Sequence, residues 1–204
     1  MEKVVYTIGH SNHREEAFLG LLRSHGIEVV ADVRSRPYSQ YSPQYDREAL
    51  KKSLKAAGID YVFLGDELGA RSDIPSCYVR GKVQYDRLAE TAAFRNGLAR
   101  VETGAAQYRV SLMCAEKEPL DCHRTILVAR HLAQRGIEVR HILADGAVET
   151  QAEVLDRLMT ALRLQQDQRH FFRSADEILD DAYRLQEGRI AFERDDEKAD
   201  ASAA

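Results

Sequence analysis

The sequence predicts an α/β protein: a mainly parallel sheet of about five strands with helices on both faces, in a three-layer, Rossmann-like arrangement, plus C-terminal helices. Three observations predict it. Short apolar runs rich in β-branched residues alternate with helical patterns at the spacing of β-α-β units. Gly26, Gly58 and Gly136 close successive helical patterns. The chain has 204 residues, 44% hydrophobic and 30% charged, enough to bury a core without staples.

The elements follow in order. Lys3 to Ile8 reads as a buried first strand, ending in Gly9-His10-Ser11-Asn12. Asn12 is placed to cap the next helix, with Glu15 to answer it, and Ala17, Phe18, Leu21 and Leu22 form its apolar face. Ile27 to Val33 is the second strand, and a polar, aromatic loop runs from Arg34 to Tyr45. Asp46 caps a helix through Lys55, and Tyr61 to Leu64 is the third strand. Gly65 to Lys82 reads as a long loop, of the kind used as a lid or binding loop. One helix covers Tyr85 to Glu102, and Tyr108 to Met113 is the fourth strand. After a loop to Asp121, a helix runs from Cys122 to Gln134 and a fifth strand from Ile137 to Leu143. Beyond Thr150 the pattern is helical, at Ala152 to Leu164 and Ala175 to Gln186. The expected organisation is an α/β domain over residues 1–145, a helical extension packed on it over 146–190, and a disordered tail over 191–204.

Bulk chemistry narrows the function. Net charge is −4, which removes the global basic field that non-specific duplex binding needs. No apolar run approaches the ~20 residues of a membrane span, so no membrane partner is expected. Three cysteines without framework spacing, and no signal-peptide pattern, predict a cytoplasmic protein.

In an open parallel sheet, ligands bind beyond the carboxyl ends of the strands. Four loops leave those ends, and each carries reactive groups: His10 and Ser11; Asp32, Arg34, Arg36 and Tyr38; Glu67; then Cys114 and Glu116. Asp121 is positioned as a helix cap, with Cys122, His123 and Arg124 in the first turn, where unpaired amides favour an anion. Arg124 adds a forked donor for phosphate or carboxylate. Cys122 reads as a nucleophile with a lowered pKa or as a small apolar residue under the helix. Cys114 reads as a buried thiol or a substrate contact. Glu116 is a general base, a nucleophile in glycosyl transfer, or a solvated charge; His10 is an acid, base or substrate donor, or a turn histidine. Asp32 pins the next loop or pairs with Arg34. His123 and Glu67 complete the expected substrate-binding set. Seven residues separate Cys114 from Cys122, which matches no standard zinc pattern, so neither a metal nor a cofactor is expected.

These residues resemble a known set. Thr7-Ile8-Gly9-His10-Ser11, Asp32-Val33-Arg34 with Pro37, Leu68-Gly69, and Cys114-Ala115-Glu116 with Cys122-His123-Arg124 look like the domain of unknown function 488 family, over about residues 4–143. The family's usual second glycine after Leu68-Gly69 is Ala70 here. The resemblance implies a three-layer α/β protein and a shared site at His10, Ser11, Asp32, Arg34, Pro37, Cys114, Glu116, Cys122, His123 and Arg124. It implies no reaction. The leading expectation is therefore an enzyme, a hydrolase or transferase, acting on a small anionic, nucleotide-like or phosphate-bearing substrate. Glu116, Cys122 and His10 are its catalytic candidates. Two alternatives stand beside it: a nucleic-acid-interacting protein using the Arg34 to Tyr45 loop with Lys51, Lys52 and Lys55, and a thiol-based redox or metal sensor using Cys114 and Cys122. The C-terminal helices complete the core or supply a homodimer face.

Overall fold

The computed structural model describes residues 3–164 and 173–194. A six-stranded sheet forms its centre, built from β1 (Val4–Gly9), β2 (Val29–Asp32), β3 (Asp60–Phe63), β6 (Val110–Cys114), β7 (Glu138–Ile142) and β8 (Val148–Thr150). The spatial order is β3-β2-β6-β1-β7-β8. All neighbours are parallel except β7 and β8. The three-layer α/β expectation holds, with one strand more than expected. Val148–Thr150 is only three residues long and precedes a helix directly, so it shows no alternation of its own.

Side-chain alternation explains the layers. Tyr6, Ile8, Val30 and Met113 point to one face, where they pack on Phe18 and Leu22 of α1 (Glu15–Ser24) and Leu50 and Leu54 of α2 (Arg47–Ala56). Val5, Ala31, Leu112 and Val139 point to the other. There they meet α5 (Ala92–Ala105), the run Arg124–Ala129 continuing into α6 (Arg130–Gln134), α7 (Gln151–Ala161) and α8 (Ala175–Ile190).

Several local expectations change. Asn12 caps nothing: the N-cap of α1 is Arg14, without a side-chain cap bond. Asp46 does precede α2, but its carboxylate accepts instead from Ser39 N, closing the Arg34–Tyr45 loop on itself. The Gly65–Lys82 segment is not a plain loop. It holds α3 (Gly65–Leu68), a 3₁₀ turn at Pro75–Cys77 and a hairpin of β4 (Tyr78–Val79) and β5 (Lys82–Val83). The helix expected over Tyr85 to Glu102 breaks in two, α4 (Tyr85–Ala89) and α5, because the Thr91 hydroxyl accepts from Phe94 N and starts a new helix. Cys122–Gln134 is not one regular helix either. Its Arg124–Ala129 stretch is π-helical, a form that recurs beside functional sites.

Residues 191–194, assigned to the tail, are tied down. Val83 N donates to Phe192 O, Arg194 N to Gly81 O, and Glu193 bridges Lys82. Residues 195–204 lie outside the described residues. No helix among those described is long and apolar enough to cross a membrane.

Candidate functional site

The carboxyl ends of β1, β2 and β6 lie side by side, with Gly9 in register with Cys114 and Asp32 with Met113. Pairing continues past the strands, since His10 N donates to Cys114 O and Ser11 N to Ala115 O, each at 2.9 Å. The following loop packs so tightly on β1 that a Cβ at Gly9 would meet Glu116 O at 1.9 Å. Glycine at position 9 is thus what lets Glu116 reach the strand ends.

Beyond these ends opens a cleft of about 360 Å³. Arg34, Arg36, Tyr38, Cys114, Glu116 and His123, all read from the sequence, line it. The fold adds Ser35, Arg71, Tyr85 and Asp121, with Ile190 and Phe192 as an apolar wall. Arg71 stacks on the Phe192 ring at 4.4 Å, so the pinned segment 191–194 shapes the cleft. Arg71 and Tyr85 carried no sequence signal: one lies in what reads as a loop, the other in what reads as a helix start.

At the floor, Glu116 Oε2 lies 2.9 Å from both Cys114 Sγ and Cys122 Sγ. His123 Nδ1 faces the same sulfurs at 3.7 and 3.9 Å. His123 Nε2 lies 3.0 Å from Val33 O, an obligate acceptor, so Nε2 carries a hydrogen and Nδ1 is turned to the cysteines. Both thiols and His123 are buried, whereas Glu116 is exposed as a residue and directs its carboxylate inward. Burial, reinforced by the charge of Cys122, raises the Glu116 pKa. The two buried thiols titrate in opposite directions. Burial raises Cys114, and its bond to Cys122 adds to that. Burial opposes ionisation of Cys122 too, but the bond from Cys114 and the charges of Arg124 and His123 outweigh it and lower its pKa. For His123, burial favours the neutral form, and the bond and charge of Cys122 overcome it, raising the pKa.

A second network lies beside the floor. Arg34 grips Asp32 with a fork, Nε to Oδ1 at 2.9 Å and Nη2 to Oδ2 at 2.6 Å, both groups buried. The Tyr61 hydroxyl donates to Asp32 Oδ2 at 2.8 Å. Arg34 Nη1 donates to His10 Nε2 at 3.1 Å, while His10 Nδ1 donates to Ser11 O at 2.8 Å. Burial lowers the His10 pKa to about 4, so the ring is neutral and stacked on Tyr45 at 4.2 Å. His10 and Asp32 therefore meet through Arg34, and Arg34 shares the cleft with Glu116.

Three expected contacts go elsewhere. Arg124 is wholly buried and gives Nη1 to Glu116 O and Nη2 to Lys117 O, holding the loop from behind. Glu67 pairs with Arg100 on α5 and does not line the cleft. Ser11, at φ +48, turns its hydroxyl to Asn12. Asp121 ends a 3₁₀ turn (Pro119–Asp121), and the helical run starts on Cys122, whose carbonyl accepts from Thr125 N and Ile126 N. Ala70 keeps a negative φ, so its turn has no need of glycine.

Fold and cleft define an α/β protein with a polar site at the strand ends, where two thiols, a carboxylate and an imidazole meet. The chain belongs to the family described as "Domain of unknown function DUF488", whose model matches residues 14–131, 118 of the 204 residues. The match spans Asp32 to Arg124 and begins after His10 and Ser11. Neither the curated proteins nor the solved structures gave a match.

Proposed function

We propose that the chain is an enzyme, a hydrolase or transferase, acting on a small anionic molecule that carries a phosphate. One observation carries this reading. Glu116, Cys114 and His123 form the floor of an open cleft whose walls include Arg36 and Arg71. Arg34 and Arg124 are held by internal partners, so the two outer arginines are the donors left for an anion. Tyr38, 67% exposed beside Arg36, offers a stacking face that suits a nucleotide base. Glu116 is the group positioned to move a proton to or from the bound molecule. Cys122 is the attacking thiol if the route is covalent.

The test is thermal unfolding with inorganic phosphate, sulfate and a set of nucleoside mono-, di- and triphosphates. A ligand at a hundred times its Kd stabilises the fold by about 2.7 kcal/mol. Arg36→Ala and Arg71→Ala should each shrink that shift. The ligand-free midpoint should stay put in Arg36→Ala and fall slightly in Arg71→Ala, which also loses the stacking on Phe192. A folded protein that none of these anions stabilises would remove the anionic-substrate reading.

A further inference from the structure

We infer that Cys114, Glu116, Cys122 and His123 are the ligands of a zinc ion at the cleft floor. Cys114 Sγ, Cys122 Sγ, a Glu116 carboxylate oxygen and His123 Nδ1 all lie within 4.8 Å of one another. A tetrahedral zinc with sulfur at about 2.3 Å and nitrogen at about 2.0–2.1 Å sets its sulfur and nitrogen ligands roughly 3.5–3.8 Å apart. The observed sulfur-to-Nδ1 separations are 3.7 Å, inside that range, and 3.9 Å, just beyond it. The carboxylate oxygen lies 2.9 Å from both sulfurs, closer than two ligands of one zinc sit, so ion binding requires Glu116 to move outward.

Three surrounding features belong to a metal site. His123 donates its far nitrogen to Val33 O, the outer-shell bond that presents a histidine's other nitrogen as a ligand. Arg124 N donates to Cys122 Sγ at 3.4 Å, which steadies a thiolate. Arg124 itself is a fully buried cation with no ion pair among the described residues. Two thiolates and one carboxylate around Zn²⁺ leave one negative charge, which that guanidinium offsets. Zinc replaces the thiol protons on binding, and His123 keeps the hydrogen on Nε2. The donor set is mixed sulfur, nitrogen and oxygen, which favours zinc over magnesium or calcium. The unusual sequence spacing is no obstacle, since Cys114 ends a strand and Cys122-His123 open a helical run that the 3₁₀ turn at Pro119–Asp121 folds back onto it. This site stands on ligand geometry and is compatible with an anion held by Arg36 and Arg71. Zinc bound there takes Cys122 and Glu116 as ligands, however, so their roles as attacking thiol and proton carrier apply to the zinc-free protein alone.

The test begins with the whole, reduced protein. Elemental analysis and zinc titration against a chromophoric chelator should give one zinc per chain. X-ray absorption at the zinc edge should show two sulfur and two lighter scatterers. Cobalt substitution should produce sulfur-to-metal charge-transfer bands. Cys122→Ser and His123→Asn should each weaken zinc by about tenfold or more, with Cys77→Ser unchanged as the control. The first three measurements need no variant, so a misfolded mutant does not blunt the test. Reduced protein that binds no zinc, a zinc shell of lighter atoms only, or a Cys114–Cys122 disulfide in freshly purified protein would each overturn the inference. Zinc binding without any response to phosphates removes the substrate reading alone, and the reverse result removes the zinc alone.

Discussion

At the scale of residues, Asp32 shows how the end of a buried strand is made to carry charge. A carboxylate with no exposure is costly unless its partners are complete. Here Arg34 supplies two forked bonds and its own amide a third, and Tyr61 supplies another. Asp32→Asn keeps the shape and removes the charge, leaving the Arg34 guanidinium buried without its counter-ion. We expect a loss of about 3 kcal/mol or more in urea unfolding. The double variant Asp32→Asn with Arg34→Met should recover much of it. A single-variant loss under about 1 kcal/mol would mean that solvent or His10 already compensates Arg34. The pairing of Asp32 with Arg34 is readable from their spacing in sequence. The burial that spends Arg34 and Arg124 on internal partners is not, because an arginine's role depends on whether its fork meets a carbonyl or open solvent.

At the scale of elements, legibility followed periodicity and local chemistry. The parallel strands were readable because each is a short apolar run leading into a polar loop, and β2, β3 and β7 also follow a glycine stop. The edge strand Val148–Thr150 and the two-residue strands of the hairpin were not, since two or three residues hold no period. Convergence of Asp32, Arg34, Cys114 and Glu116 was readable from the rule for open sheets. Arg71, Tyr85 and Phe192 were not, because a hairpin and the segment after α8 bring them in. Capping marks the difference between a pattern and its use. Asn12 has the right chemistry and caps nothing, whereas Ser174 forms a full capping box with Glu177 at the start of α8. Ser174→Ala should cost about 1 kcal/mol of stability by urea unfolding. Because α8 leads into residues 191–194, which wall the cleft, the same variant should also weaken any anion seen by thermal shift. An unchanged midpoint and unchanged anion response would show that α8 is held by packing alone.

At the scale of the whole molecule, one buried histidine joins the sheet to the C-terminal helices. Thr7 on β1 donates its hydroxyl to His141 Nδ1 at 2.8 Å. His141 Nε2 donates to Gln151 Oε1 of α7 at 2.7 Å, and Gln151 Nε2 donates to the Tyr183 hydroxyl of α8 at 3.1 Å. The Gln151 amide oxygen accepts the Nε2 hydrogen, and in the neutral ring Nδ1 is left to accept from Thr7. Burial dominates in lowering the His141 pKa to about 4, the bond to Gln151 opposes it, and the charges of Arg124 and Arg157 assist, with Glu118 opposing. In the unfolded chain the ring titrates near its ordinary 6.5. Above that pH both states are neutral and the histidine adds no pH dependence. Between 6.5 and 4 the unfolded chain takes up a proton that the folded one refuses, so stability falls as the solution is acidified. At 1.36 kcal/mol per pH unit the full window amounts to about 3 kcal/mol. His141→Gln should cost stability at pH 7 by disrupting the chain, and the gap from the native protein should narrow steadily toward pH 4. Urea unfolding of both proteins across that range measures it. Parallel pH profiles would show that His141 takes up its proton as readily in the fold as in the unfolded chain, and the neutral Thr7–His141–Gln151–Tyr183 chain would then not be what holds α7 and α8 to the sheet.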